Sequence, residues 1–166
     1  MNKNSLKNIA IEVINLEIEA LKILKKSVNK NFDKAVNAIV NCQSKIILCG
    51  VGKSGLIAAK IASTLSSVGS PAFSLSANDC LHGDLGSITK KDVLVLISNS
   101  GRSEEIIPIV KFANKNKIKL IGIVSKKNSF LYKGSNIKIL LPDVRESGLG
   151  VVPTSSTSIQ LAIGDA

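Results

Sequence analysis

The chain has 166 residues, 45% of them hydrophobic, which is enough for one globular domain with a full core and no disulfide or metal staples. Only 3% are aromatic and tryptophan is absent, which predicts a core of Ile, Leu, Val and Ala. The formal net charge is +10, and the lysines are spread along the sequence. Because the sequence has no Arg-rich arm and no aromatic stacking platform, we expect no nucleic-acid partner. We predict instead a solvated basic surface that can attract anionic substrates.

The N-terminal region predicts two helices. Apolar residues recur at helical spacing over residues 5–28. Three glutamates within the first 20 residues interrupt the apolar stretch, so we predict neither a signal peptide nor a membrane span. The second helix is predicted through about Cys42, with Asn31 or Asp33 as its N-cap. We expect these helices, residues 1–44, to pack on the domain that follows.

Strand and helix patterns alternate from residue 45 onward. The predicted strands span 45–49, 71–75, 92–97, 118–124 and 137–141, and the predicted helices span 53–68, 103–116 and the residues from 154 onward. Parallel neighbouring strands need crossover connections, so residues 45–166 predict an α/β domain with a doubly wound parallel sheet of about five strands, flanked by helices. Ligands of such sheets bind beyond the carboxyl ends of the strands.

The cysteines argue against a disulfide framework and a zinc site. Cys42, Cys49 and Cys80 are an odd number, and they lack CxxC or Cys/His spacing. Cys49 lies in an apolar run, which favours a buried free thiol. We therefore expect a reducing, cytoplasmic setting and no metal site.

The first polar loop after a strand is glycine-rich. Residues 50–55 match G-x-G-x-x-G, the dinucleotide-binding pattern. A dinucleotide site also needs an acidic residue at the end of the second strand, where this chain has Ser74-Leu75-Ser76, so NAD is disfavoured. A Walker A loop would need a glycine at position 47, where this chain has Ile47, so a nucleotide-binding P-loop is also disfavoured.

The glycine-rich loop still fits a ligand. Its turn, with Gly52 and Ser54, lets the backbone approach a small molecule, and Lys53 is placed over the strand ends. The alternative is a tight strand-to-helix turn with a solvent-facing lysine.

The hydroxyl-rich loop, Ser98-Asn99-Ser100-Gly101-Arg102-Ser103, carries the strongest local signal. It follows the clearest strand and precedes a helix, whose N-terminal N–H groups and dipole favour an anion. The alternative is a helix cap at Ser103 followed by two acidic residues. A cap leaves Ser98 and Ser100 unexplained, so we predict a phosphate-binding loop.

Three further features lie near the predicted strand ends. Residues 152–158 are a second hydroxyl cluster, which is either a helix cap or the other wall of an anion pocket. His82, flanked by glycine, is either structural or an acid–base group. Glu146 is either a base or a loop charge paired with Arg145, and the sequence leaves both interpretations open.

Together these motifs resemble the sugar isomerase (SIS) domain, and specifically the arabinose 5-phosphate isomerases. The segments that carry the resemblance are Gly50-Val51-Gly52-Lys53-Ser54-Gly55, His82-Gly83-Asp84-Leu85-Gly86, Ser98-Asn99-Ser100-Gly101, Pro153-Thr154-Ser155-Ser156-Thr157 and Gly164-Asp165-Ala166. The resemblance implies interconversion of D-ribulose 5-phosphate and D-arabinose 5-phosphate, which supplies the sugar acid Kdo for lipopolysaccharide or capsule. It also implies a homotetramer that needs no organic cofactor.

The resemblance also implies roles for individual residues. The implied phosphate-binding residues are Ser98, Ser100 and Ser103, helped by Thr154, Ser155 and Ser156, with Gly52, Ser54 and Asn99 in the same substrate site. The implied catalytic cluster consists of Lys53, His82, Glu105 and Glu146. Isomerisation through an enediol needs a base, a proton shuttle and a group that stabilises the oxyanion. We assign Glu146 or Glu105 as base, His82 as shuttle and Lys53 as oxyanion donor.

The chain departs from the family pattern in three places. Ser76-Ala77-Asn78-Asp79-Cys80 stands where family members have His-Pro-x-Glu-Ala, and Ser147-Gly148 replaces the Ala-Cys-Pro that usually follows the loop glutamate. Family enzymes continue beyond the segment matching residues 164–166 to a His-Pro-Gly-Gly segment and CBS domains, so we expect a shortened SIS domain. The competing hypothesis is a non-catalytic sugar-phosphate sensor, although the N-terminal helices lack a recognisable helix-turn-helix.

Overall fold

The computed structural model describes residues 5–148, 150 and 152–166, and they form a five-stranded sheet with helices on both faces. The strands are β1 (Ile46–Gly50), β2 (Ala72–Ser76), β3 (Val93–Ser98), β4 (Lys119–Val124) and β5 (Ile137–Leu140). The helices are α1 (Leu6–Ser27), α2 (Lys30–Val40), α3 (Lys53–Ser67), α4 (Ala77–Cys80), α5 (Ile106–Lys115), α6 (Phe130–Gly134) and α7 (Ser155–Asp165), and a 3₁₀ turn spans Asp84–Ser87. All pairings are parallel in the order β2-β1-β3-β4-β5, which confirms the predicted α/β fold class.

The central strands are buried on both faces of the sheet. Every residue of β1 and β3 is buried, as expected of parallel strands that are covered by helices on either side. Alternate side chains point to opposite faces. On one face Leu48 and Val95 belong to the aliphatic core shared with α1, α2, α3 and α7. On the other face Ile47 and Leu94 pack in the core shared with α4, α5 and α6.

The N-terminal helices pack on the first of these faces. Helix α1 lies against α7, where Ala20 and Leu24 are buried and Ser158 Oγ donates to Glu17 Oε2 at 2.8 Å. Helix α2 lies against β5, where Asn31 Nδ2 donates to the carbonyl oxygen of Lys138 at 3.1 Å. Within the described residues, none of the helices combines the length and apolarity that crossing a bilayer requires.

Two predicted helix starts were wrong. Helix α2 is capped by Asn29, whose extended backbone lets its side chain accept from Asn31 N at 2.9 Å, so neither Asn31 nor Asp33 is the cap. Helix α5 begins at Ile106, because Ser103 and the two residues after it form a turn in which Ile106 N donates to Ser103 O at 3.0 Å. The elements α4 and α6 were not predicted, since four or five residues are too few to show helical periodicity.

A buried carboxylate ties the amino ends of β1 and β3 together. The Asp92 side chain is fully buried and accepts from Lys45 N at 3.2 Å, Lys45 Nζ at 3.0 Å, Thr89 N at 2.6 Å and Thr89 Oγ1 at 3.0 Å. Burial alone would raise its pKa, but the hydrogen bonds outweigh burial and lower the pKa of Asp92 to about 2. The carboxylate therefore stays charged in the folded protein.

We expect Asp92→Asn to lower the free energy of unfolding at neutral pH by about 1–3 kcal/mol, because buried donors lose a charged acceptor. The pKa is lower in the folded state, so this stabilisation is complete above the ordinary value of 3.8 and is lost as the pH falls through about 2. Urea unfolding as a function of pH measures both effects. Asp33→Asn, in the exposed first turn of α2, is the control. Equal midpoints for Asp92→Asn and wild type would contradict the role of this carboxylate.

Candidate functional site

The candidate site lies where the strand order of the sheet reverses. Strand β1 has β2 on one side and β3 on the other, so the connections after β1 and β3 leave the sheet in opposite directions. Such a switch point opens a crevice at the carboxyl ends of the strands, where open α/β sheets bind ligands. The loops at residues 50–55 and 98–103 follow β1 and β3, so they flank this crevice.

The hydroxyl-rich loop is held by its own side chains. Ser98 Oγ accepts from Gly101 N at 3.0 Å, and Ser100 Oγ accepts from Arg102 N at 3.3 Å. Gly101 has a φ of +62°, and a Cβ atom at this position would collide with Ser129 and Val124. The loop therefore requires glycine at residue 101 for both its backbone conformation and its packing.

Backbone donors in this loop and the turn after it are left without a partner. The N–H groups of Ser100, Ser103 and Glu104 meet no acceptor within the described part of the chain. These residues precede the first turn of α5, where the helix dipole adds positive potential. Unpaired N–H groups at a helix N-terminus form an anion-binding arrangement.

The glycine-rich loop brings α3 close to the end of β1. A Cβ atom on Gly55 would lie 2.8 Å from Gly50 O, so the helix can approach the strand only because residue 55 lacks a side chain. Gly52 has a φ of +57° and precedes the first residue of α3, Lys53. The Lys53 side chain is exposed at this edge, so the geometry allows it to reach a ligand.

A buried hydrogen bond joins the glycine-rich loop to α7. Ser54 Oγ donates to Gln160 Oε1 at 2.9 Å, and Gln160 is 1% exposed. Gln160 lies five positions after Ser155, which corresponds to about 7–8 Å along a helix. The first turn of α3 and the N-terminal half of α7 are therefore neighbours.

The N-terminus of α7 binds a carboxylate from the chain itself. Glu146 Oε2 accepts from Thr154 N at 2.8 Å, Thr154 Oγ1 at 3.1 Å and Ser156 N at 3.3 Å. Thr154 occupies the N-cap position but makes no side-chain cap hydrogen bond, so the expected hydroxyl cap is replaced by Glu146. Two N–H groups at this helix end are consequently not free to bind a phosphate.

Glu146 is held in its ionised form. Burial alone would raise its pKa, but hydrogen bonds from Ser156 and Thr154 outweigh burial, so the pKa of Glu146 lies below its ordinary value. The dipole of α7 acts in the same direction. Three of the hydrogen bonds to this carboxylate end on Oε2, which fixes its position at the helix end.

A buried hydroxyl stands beside this cap. Ser155, the first residue of α7, is fully buried, and its Oγ has no hydrogen-bond partner among the described residues. A buried hydroxyl without a partner costs free energy, so such an atom is a candidate contact for a ligand oxygen.

The remaining candidate residues share the same edge of the sheet without direct contact. His82 is exposed in the turn between α4 and Asp84, and its backbone N–H donates to Asp79 O at 2.9 Å. Glu105 is half-buried at the N-cap of α5. Among the described residues, no hydrogen bond or ion pair joins the side chains of Lys53, His82 or Glu105 to another candidate residue.

Sequence reasoning missed two residues of the site. Gln160 lies between Ile159 and Leu161 in α7, and a buried amide at such a position signals a specific partner, here Ser54. Ser125 directly follows β4 and its Oγ donates to Asn99 Oδ1 at 2.6 Å. The position of Ser125 directly after a strand could have marked it as a site residue. Its hydrogen bond to Asn99 could not be predicted, because it depends on the pairing of β4 with β3.

Comparison with known proteins identifies the family of this doubly wound domain. Residues 39–166 match the SIS domain model, and the chain belongs to the SIS domain family. The resemblance inferred from the motifs is confirmed.

The chain is similar to several named proteins of this family. It is 43% identical over 163 residues to the arabinose 5-phosphate isomerase KdsD of Francisella tularensis, covering 96% of this chain and 50% of that protein. It is 40% identical over 156 residues to the same enzyme of Yersinia pestis, covering 93% and 48%. A solved structure of an Escherichia coli CFT073 protein in complex with arabinose 5-phosphate superposes with a TM-score of 0.93 at 33% identity, covering 99% of this chain and 88% of that chain. The chain thus spans about half the length of the curated relatives.

We expect Thr154→Val to raise the pKa of Glu146 toward its ordinary value, because the carboxylate loses the Oγ1 donor while the backbone donors remain. A ¹³C NMR titration of the Glu146 carboxyl carbon measures this change. Thr64→Val, on α3, removes a hydroxyl that donates to Lys60 O and is the control. An unchanged titration in Thr154→Val would show that this hydroxyl does not stabilise the charge.

Proposed function

We propose that this chain is the sugar-phosphate isomerase domain of an aldose–ketose isomerase that interconverts D-ribulose 5-phosphate and D-arabinose 5-phosphate. The observation that carries the proposal is the set of N–H groups at Ser100, Ser103 and Glu104 that meet no acceptor among the described residues, at the switch point of the sheet. The relative bound to arabinose 5-phosphate and the relatives named arabinose 5-phosphate isomerase support the choice of substrate.

The phosphate of the substrate binds at the hydroxyl-rich loop in this proposal. The free N–H groups of the loop and the dipole of α5 supply the donors for its oxygens. The hydroxyls of Ser98 and Ser100 keep a proton to donate, even though each already accepts a backbone hydrogen bond. Ser155 Oγ adds the unpaired hydroxyl of α7.

The reaction moves one proton between neighbouring carbons. A base removes a proton from C1 of the ketose, an enediol forms, and the proton returns to C2 to give the aldose. Glu146 fits the base because it is ionised and because hydrogen bonds to Oε2 hold its carboxylate in place. Glu105 is the alternative base. His82 shuttles a proton between the substrate oxygens, and Lys53 stabilises the oxyanion.

Exchange with solvent tests the chemistry directly. In D₂O, arabinose 5-phosphate formed from ribulose 5-phosphate should carry deuterium at C2, because a carboxylate base exchanges its proton with solvent. We expect Glu146→Gln to reduce turnover roughly 100-fold or more, since an amide cannot take the proton. Mass spectrometry of the product measures both quantities.

Further variants and a binding measurement distinguish Glu146 from Glu105 as the base, and an isomerase from a sugar-phosphate sensor. Glu12→Gln is the matched control, because Glu12 is exposed on α1 and belongs neither to the proposed catalytic cluster nor to the phosphate-binding loop. Near-normal turnover in both Glu146→Gln and Glu105→Gln would overturn the carboxylate-base mechanism. Binding of arabinose 5-phosphate without any exchange would overturn the isomerase proposal and favour a sugar-phosphate sensor.

We also propose that the protein assembles as a homotetramer. Helix α1 exposes a stripe of apolar side chains on the face that includes Ile14 and Ile18, which are 58% and 42% exposed. Contiguous apolar surface of this kind is typical of protein–protein contacts. The stripe supports association of α1 with another copy of the chain.

We expect Ile14→Lys to weaken this association, because it places a charge in an apolar contact. Light scattering coupled to size-exclusion chromatography measures the mass of the assembly. Ile14→Leu keeps the apolar surface and should leave the mass unchanged. A wild-type chain that is monomeric at every concentration would contradict the tetramer.

A further inference from the structure

A polar groove lies on the opposite side of the hydroxyl-rich loop from the switch point. It encloses about 540 Å³ at the carboxyl edge of β3, β4 and β5. All of its lining residues are polar or charged. They are Ser100, Arg102, Ser125, Lys126, Lys127, Asn128 and Asp143. A groove lined by such side chains fits a small, strongly hydrated ligand.

The groove carries an excess of positive charge. Three of its lining residues are cations and one is a carboxylate. Lys126 Nζ pairs with Asp143 Oδ1 at 3.0 Å, but the side chains are 49% and 81% exposed, so the pair is weak. Arg102 and Lys127 form no ion pair with any residue that the structure describes. An anion would therefore meet two unpaired cations.

Neutral hydrogen-bonding groups complete the groove. Ser125 is positioned by its 2.6 Å hydrogen bond to Asn99 Oδ1, and Ser125 N donates to Asn99 O at 3.2 Å. This double link fixes the loop after β4 against the hydroxyl-rich loop. Asn128 adds an amide that can donate to an oxyanion. The groove thus has a wall of defined position as well as charge.

The groove shares Ser100 with the hydroxyl-rich loop but opens on the other side of that loop from the switch point. In the sheet, β3 lies between β1 and β4, so the glycine-rich loop and the loop after β4 are on opposite sides of the hydroxyl-rich loop. Lys53, Ser54 and Gln160 are on the β1 side and do not line the groove.

We propose that this groove is a second anion-binding site, which takes the phosphate group of a phosphorylated small molecule through Arg102 and Lys127. Phosphate fits because its several oxygens can accept from a planar guanidinium and from an ammonium group at once. The shared Asn99–Ser125 link makes the groove a neighbour of the proposed substrate loop. The proposal does not depend on isomerase activity.

The test is an NMR titration of the ¹⁵N-labelled chain with inorganic phosphate at constant ionic strength. We expect saturable shifts of the amide signals of residues 125–128. In the double variant Arg102→Ser with Lys127→Ser, the affinity reported by those signals should fall roughly tenfold or more, because two charge-assisted contacts are lost. The control is Lys111→Ser with Lys115→Ser, which removes the same charge from exposed positions on α5.

The positions of the shifted amide signals distinguish binding in the groove from binding at the proposed substrate loop. Shifts at residues 50–55 and 103–104 with none at residues 125–128 would overturn the groove site and leave the substrate loop supported. Shifts confined to residues 125–128 would support the groove and contradict the substrate loop. An equal loss of affinity in the control variant would overturn the groove site, because charge alone would then account for binding.

Discussion

The burial of β1 and β3 on both faces is the constraint on which the site depends. Strands that are covered on both sides must be apolar along their whole length. Polar residues and glycines with special backbone conformations therefore lie in the loops beyond the carboxyl ends of these strands. At β1 this puts Gly50 and Gly55 in close backbone contact, and at β3 it puts Ser98 at the start of the hydroxyl-rich loop. The same arrangement aims α3 and α5 with their N-termini toward the crevice.

Helix N-termini contribute positive potential at this edge, and the chain uses them in two different ways. At α5 the N–H groups of Ser103 and Glu104 meet no acceptor in the described part of the chain, which suits an anionic ligand. At α7 the corresponding groups bind Glu146, so the helix holds a negative charge of its own. In the proposed function these two arrangements have separate tasks: the donor set at α5 binds the phosphate, and the fixed carboxylate at α7 transfers the proton.

Side-chain hydrogen bonds anchor each of the two loops of the site to a neighbouring element. The Ser54–Gln160 hydrogen bond ties the glycine-rich loop to α7, and Asn99 ties the hydroxyl-rich loop to the loop after β4. Because Gln160 is buried, loss of its partner would leave an unpaired amide in the core. These links favour a preorganised site, although its proposed catalytic residues come from four different segments of the chain.

The sequence by itself determined the fold class, the five strands and the two candidate ligand-binding loops, because apolar runs, glycine spacing and hydroxyl clusters are local signals. It did not determine the start of α5 or the cap of α2, since propensity at Ser103 or Asn31 is weaker than the geometry of the preceding turn. Only the tertiary structure decided that Glu146 caps α7 and that Ser54 meets Gln160. Those contacts join residues that are far apart in the chain or are separated by an irregular loop, and only the packing of α7 on α3 brings them together.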